Sequence, residues 1–180
     1  LTLSTDDDIL ICDPENEYSA LIESLGGEVI HISSRSKDHI NAMDMTEGYG
    51  DSLNPVADKS EFILSLFERL EQVHLGAKEK SIIDRCVAQV YSDCEKNKEL
   101  PTLIKLREVL LEQPEKEGHD LGLALELFTK GSLNIFAHET NVDVNNRIIS
   151  FNLLSLGKQL KAVGLLVITD AILNRVNENW

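Results

Sequence analysis

A short apolar run that ends in an acidic turn constrains the fold of this chain more than any other feature. Ile9 to Cys12 are apolar, and Asp13-Pro14-Glu15-Asn16-Glu17-Tyr18 follows directly. Such a run predicts a buried strand near 8–12. Asp13 is then expected to cap a helix with Pro14 at its first position. Strand, polar turn and helix in this order form the basic step of α/β folds, whose ligands bind beyond the carboxyl ends of the strands.

Two further strands are predicted from the apolar pattern. Gly26-Gly27 ends the first helix, and the second strand is expected near 28–33, pairing in parallel with the first. Residues 34–58 lose periodicity and are interpreted as a long connecting loop. A third strand is expected near 147–153, followed by a long helix from Ser155 to about Val176.

Residues 59–130 show helical spacing only. Four consecutive helices are predicted there, the third beginning at Pro101-Thr102 and the fourth at Gly118-His119-Asp120. Cys86 and Cys94 are expected on one helix face as buried free thiols. The pattern as a whole predicts an α/β fold with an all-helical insertion.

Charge and hydropathy exclude several classes of protein. The 180 residues carry a formal net charge of −14, which argues against an autonomous binder of nucleic acid or of anionic membranes. The longest apolar stretch near the end, Ala162 to Leu173, is too short to span a bilayer, and no signal peptide is recognisable. Because the chain begins at Leu1 rather than Met, we expect an excerpt from a longer protein.

The acidic turn is the first candidate site, and it has two interpretations. Asp13, Glu15 and Glu17 alternate, but Tyr18 and Ser24 stand where a calcium loop would need Gly and Glu. The first interpretation is a helix cap with acidic residues favoured by the helix dipole. The second is a set of carboxylates that orient water or a magnesium shell beside a nucleotide phosphate.

Other motifs point to turns and helix ends rather than to chemistry. Asn and Asp alternate over 140–147, a pattern typical of turns. His119-Asp120 is interpreted as a helix start, and no metal site is predicted. The chain contains neither a GxxxxGK[ST] phosphate loop nor a GxGxxG loop, and no strand ends in an Asp-Glu pair. Taken alone, the chain is not expected to hydrolyse ATP.

Several strings together resemble one family. They are Cys12-Asp13-Pro14-Glu15-Asn16-Glu17-Tyr18, Leu25-Gly26-Gly27, Ile40-Asn41-Ala42-Met43-Asp44-Met45, Gly131-Ser132-Leu133, Phe136, Thr140-Asn141-Val142-Asp143 and the segment from Ile149 to Val176. Over most of its length the chain resembles the ATPases of conjugative transfer and type IV secretion, in the TraC/TraE-like branch of the HerA–FtsK superfamily. It departs from their usual Ile-Asn-Pro at Ala42. The Thr-Asn-Val-Asp string and the Leu-Gly-Lys-Gln-Leu-Lys helix resemble the Gram-positive type of conjugation ATPase.

The resemblance implies the central part of a RecA-like P-loop NTPase motor domain without its two Walker motifs. It divides the chain into a first part of the motor (1–58), an all-helical insertion (59–130) and a return to the motor (131–180). The parent protein would use ATP and Mg²⁺, with Asp13 and Glu15 at the edge of the nucleotide site and Glu17 in a supporting catalytic role.

The resemblance also implies partners and a location. The parent would form homo-oligomers and contact other secretion-channel proteins, peripherally on the cytoplasmic face of the cell membrane in bacteria. It would power conjugative DNA transfer, including that of conjugative transposons, and pilus assembly. The alternative from the residues is a non-catalytic helical interaction module on an α/β scaffold.

Overall fold

One small parallel sheet organises the chain. The computed structural model describes residues 7–46, 48–50, 53–71, 74–143 and 146–178. The strands are β1 (Ile9–Asp13), β2 (Glu28–His31) and β3 (Ile148–Asn152), in the order β1-β3-β2 across the sheet. All three lie close to their predicted positions.

The predicted direct pairing of the first two strands is wrong, because β3 lies between them. Asp13 of β1 is in register with Asn152 of β3, which is in register with His31 of β2. Helix α1 (Ser19–Ser24) joins β1 to β2 and packs on β2 and β3, so this connection skips one strand position. The central place suits β3, whose residues from 149 to 152 are all buried, whereas β1 is mostly half-buried.

A run of helices connects β2 to β3. It comprises α2 (Pro55–Glu71), α3 (Ala77–Asn97), α4 (Leu103–Leu111), α5 (Lys116–Ala124) and the short α6 (Glu126–Thr129). Helix α2 packs on α3, and α4 packs on α5. The predicted boundaries at 58/59 and 130/131 stay predictions.

Two helix starts in this run follow from local contacts. The Thr102 hydroxyl accepts the Lys105 backbone N–H at 3.4 Å and caps α4, as the Pro101-Thr102 prediction requires. The predicted start at Gly118-His119-Asp120 is wrong, since all three lie inside α5. Gly118 serves close packing instead, because an added Cβ would lie 2.7 Å from the Cβ of Gln113.

One continuous core unites the sheet with the helices. Ile149 and Phe151 of β3 belong to the same buried cluster as Ile63 and Phe67 of α2 and Val87 of α3. Cys86 and Cys94 are buried free thiols, as predicted, and burial raises the pKa of Cys86 to about 11.

The last helix, α7 (Lys158–Glu178), packs on α2 and β1 and begins three residues later than predicted. Within the described ranges, no helix combines the length and apolar character needed to cross a membrane.

Candidate functional site

The carboxyl ends of the three strands bring polar side chains to one edge of the sheet. Asp13, Asn152 and His31 end β1, β3 and β2 and stand side by side in register. This is the edge at which parallel α/β sheets bind ligands. The acidic turn from Asp13 to Tyr18 lies here and forms the candidate site.

Asp13 organises the turn rather than starting a helix at Pro14. It is 1% exposed, and its two carboxylate oxygens accept the backbone N–H groups of Glu17 (3.0 Å) and Tyr18 (2.9 Å). The turn needs a left-handed residue, Asn16 (φ 61°), so α1 begins only at Ser19. The prediction of Pro14 as the first helical residue is therefore wrong, although Asp13 does accept backbone N–H groups just ahead of the helix.

The other two acidic side chains of the turn differ in their surroundings. Glu15 is exposed and its Oε1 lies 2.6 Å from Nζ of Lys161, which joins the turn to the first part of α7. Glu17 is exposed and has no side-chain partner among the described residues. Glu17 is therefore the acidic side chain of the turn that is available to a ligand.

Asn152 is a residue of this edge that the sequence reasoning missed. It is 5% exposed, and its Nδ2 donates to Oδ1 of Asn16 at 2.6 Å, while its Oδ1 accepts the Leu154 N–H at 3.0 Å. Asn152 thus ties the end of the central strand to the acidic turn. The available signal was the polar amide of Asn152 at the end of a mostly apolar strand.

The edge suits a hydrated cation better than a phosphate group, because carboxylates repel phosphate oxygens. Asp13 and Glu15 are already engaged, so among the described residues of the turn Glu17 is the carboxylate left to contact the water shell of a cation. Within the part of the chain that the structure describes, no three His, Cys, Asp or Glu side chains are grouped to hold a metal ion directly. Phosphate binding would need groups beyond these residues.

Two strings quoted for the family resemblance meet at a polar hub away from the turn. Asn41 donates from Nδ2 to Asp44 Oδ1 (2.7 Å) and to the Pro101 carbonyl (2.8 Å), and its N–H donates to Thr140 Oγ1 (2.9 Å). The Thr140 hydroxyl donates to Asp44. The hub therefore joins three segments: the loop between β2 and α2, the loop between α3 and α4, and the segment between α6 and β3. Of the Asn/Asp-rich turn after Thr140, Val144 and Asn145 lie outside the described residues.

A buried ion pair lies next to the hub. The side chain of Lys59 is 0% exposed, and its Nζ lies 2.7 Å from Asp170 Oδ2 and 4.1 Å from the centre of the Tyr49 ring. The Tyr49 hydroxyl donates to the other oxygen of Asp170. Burial lowers the pKa of Lys59, and the Asp170 carboxylate opposes that shift. The pair fixes α2, α7 and the loop after β2 to one another.

Taken together, the described elements define a class: an α/β fold with a small parallel sheet and a run of helices between two of its strands. No family model matches the chain, and no curated protein matches it.

Among solved structures, the chain is similar to VirB4 of Thermoanaerobacter pseudethanolicus, with a TM-score of 0.82 and 20% sequence identity. The match covers 95% of this chain and 70% of that chain. The chain therefore has the fold of the part of VirB4 that it matches, and the predicted fold class is confirmed.

Proposed function

We propose that the chain is the central part of the motor domain of a type IV secretion ATPase. The observation that carries the proposal is the likeness to VirB4 over 95% of the chain, which joins the family resemblance of the acidic turn and of the hub strings. In this proposal the parent protein powers conjugative DNA transfer and pilus assembly. It works as a bacterial homo-oligomer on the cytoplasmic face of the membrane, in contact with other secretion-channel proteins.

The parent would bind ATP with Mg²⁺, and the metal when bound would neutralise the charge of the phosphates. Glu17 has the exposure and the free carboxylate needed to orient water at the edge of such a site. Asp13 would hold the turn in shape through its two backbone hydrogen bonds, and Glu15 would be restrained by Lys161. The chain by itself would be inactive, since it contains no phosphate loop.

ATP turnover by the full-length protein tests the proposal. Glu17→Gln should lower kcat at least about tenfold, because a positioned carboxylate commonly contributes about 100-fold or more to proton transfer. The melting temperature should stay unchanged, since Glu17 has no described partner to lose. Glu23→Gln on α1 removes the same charge from an exposed position away from the strand ends and serves as the matched control.

Two results would contradict the proposal. Equal turnover in Glu17→Gln and Glu23→Gln would remove Glu17 from the nucleotide site. A full-length protein with neither a phosphate loop before residue 1 nor an Asp-Glu strand end after residue 180 would favour the non-catalytic interaction module instead.

A further inference from the structure

A cavity of about 670 Å³ lies between α3, α7 and the loop after β2. Its size falls within the range of about 300–1,000 Å³ that small-molecule sites occupy. It reaches Asp8 and Arg175 near the amino-terminal end of β1, and so lies away from the acidic turn at the other end of the strand. The acidic turn and this cavity are therefore separate places in the fold.

The charges that line the cavity are unbalanced. Five carboxylates and one guanidinium, that of Arg175, line it. Three of the carboxylates have a cationic partner: Asp8 pairs with Arg175, Glu99 with Lys105, and Asp170 with Lys59.

Two carboxylates of the lining have no ion-pair partner among the described residues. Asp44 accepts hydrogen bonds from the neutral side chains of Asn41 and Thr140. Lys59, whose charge attracts Asp44, forms its ion pair with Asp170 instead. Glu95 is exposed and has no ion-pair partner among the described residues. Asp44 is half-buried, and burial raises its pKa, while the hydrogen bonds from Thr140 and Asn41 and the charge of Lys59 oppose that shift. The cavity thus carries an excess of negative charge that attracts cations and repels phosphates.

The remaining wall is apolar. Leu10 and Phe151 of the sheet, Ile172 of α7 and Leu100 of the α3–α4 loop contribute to it. A bare metal ion would leave this hydrocarbon surface unused, whereas an alkyl or aryl stem would cover it and gain from its removal from water. Three residues of the lining, Glu95, Glu99 and Leu100, are exposed, so the cavity is open to solvent on their side.

We propose that this cavity binds a small organic cation, an ammonium or guanidinium group on a hydrocarbon stem. The charged group lies by Asp44 and Glu95, and the stem covers the apolar wall. The cavity is lined by α3, by α7 and by the loop after β2 that contains Asn41 and Asp44. The bound cation therefore stabilises the junction between the helical insertion and the sheet. This proposal is independent of the proposed ATPase function.

The test uses n-hexylammonium as the probe, 1-hexanol as its uncharged match, and the full-length protein without nucleotide. Isothermal calorimetry should show saturable one-to-one binding of hexylammonium, and hexanol should bind about tenfold more weakly because it lacks the charge. Glu95→Gln should weaken hexylammonium binding about fivefold, the upper range for an exposed ion pair. Asp93→Asn removes the same charge from α3 two residues away, outside the cavity lining, and should bind as the parent does.

Three outcomes would overturn the proposal. Absence of saturable binding excludes the site. Equal loss in Glu95→Gln and Asp93→Asn means that general acidity, not the cavity, attracts the cation. Equal affinity for hexanol and hexylammonium means that the apolar wall alone is responsible. Circular dichroism of both variants checks that each keeps the parent fold.

Discussion

Replacing Asp170 by Asn should destabilise the protein by about 3 kcal/mol, the low end of the range for breaking a buried ion pair. The substitution keeps an oxygen for the Tyr49 hydroxyl but removes the charge 2.7 Å from Lys59 Nζ. The ammonium is then left fully buried without its ion-pair partner, and is stabilised by aromatic faces at 4.1 and 4.7 Å and by the charge of Asp44. We take the low end of the range because the side chain of Asp170 is 16% exposed and partly solvated.

A double-mutant cycle separates the ion pair from other effects of the substitution. Lys59→Met should cost less than Asp170→Asn, because the carboxylate it leaves behind keeps its hydrogen bond and some solvent. The double variant should be more stable than the sum of the single losses predicts, by about 2 kcal/mol of coupling. Urea unfolding followed by circular dichroism gives all three free energies.

A surface pair provides the matched control for that experiment. Asp93→Asn breaks the exposed Lys96–Asp93 pair at 3.3 Å and should change the free energy of unfolding by less than about 0.5 kcal/mol. If Asp170→Asn behaves like Asp93→Asn, or if the two substitutions at the buried pair are additive, the reasoning about the buried ion pair is wrong.

Three further predictions concern the polar hub, the connection from β1 to β2, and the side chains of Tyr49 and Tyr91. Asn41→Ala should cost about 2 kcal/mol in urea unfolding, because it leaves the half-buried acceptors of Asp44 and Pro101 and the buried Met43 N–H without their partner. A loss below about 0.5 kcal/mol, the scale of a surface change, would contradict this. Gly27→Ala should cost about 1–3 kcal/mol because its Cβ would lie 2.7 Å from β3, whereas Gly157→Ala meets nothing within 4 Å and should melt at or above the parent temperature. Burial raises the pKa of Tyr49 and Tyr91 above the ordinary 10.0, so above pH 10 the unfolded state releases protons that the folded state keeps. Stability should therefore fall as pH rises beyond 10, and the double Tyr→Phe variant should show a smaller fall in urea titrations at each pH; an identical slope would refute it.

Local patterns predicted the elements of this fold because short apolar runs and helical spacing depend on neighbouring residues. The three strand positions and the start of a helix at Pro101-Thr102 are of this kind. The sheet order was missed because β3 enters between β1 and β2 more than a hundred residues later in the chain. The start of the first helix was missed because Asp13 accepts two N–H groups four and five residues ahead, which holds a longer turn open.

The buried polar contacts could not be predicted from neighbouring residues in the sequence, for the same physical reason. Lys59 lies in a helix with an ordinary mixture of charges, and nothing near it in the sequence signals burial. Its partner Asp170 is 111 residues away. The hub shows the same limit, since the strings around Asn41 and Thr140 could be read as separate turns until the structure brought them together. The candidate site was found in part: the acidic turn was identified, and Asn152 was not.

The most direct test of the central claim is a structure of the full-length protein with Mg²⁺ and a non-hydrolysable ATP analogue. We expect the Glu17 carboxylate within about 6 Å of the nucleotide's outermost phosphate or its Mg²⁺, the reach of one bridging water. Asp13 should keep its two hydrogen bonds to the turn. A nucleotide bound elsewhere, with the acidic turn exposed to bulk solvent, would exclude the acidic turn from the nucleotide site.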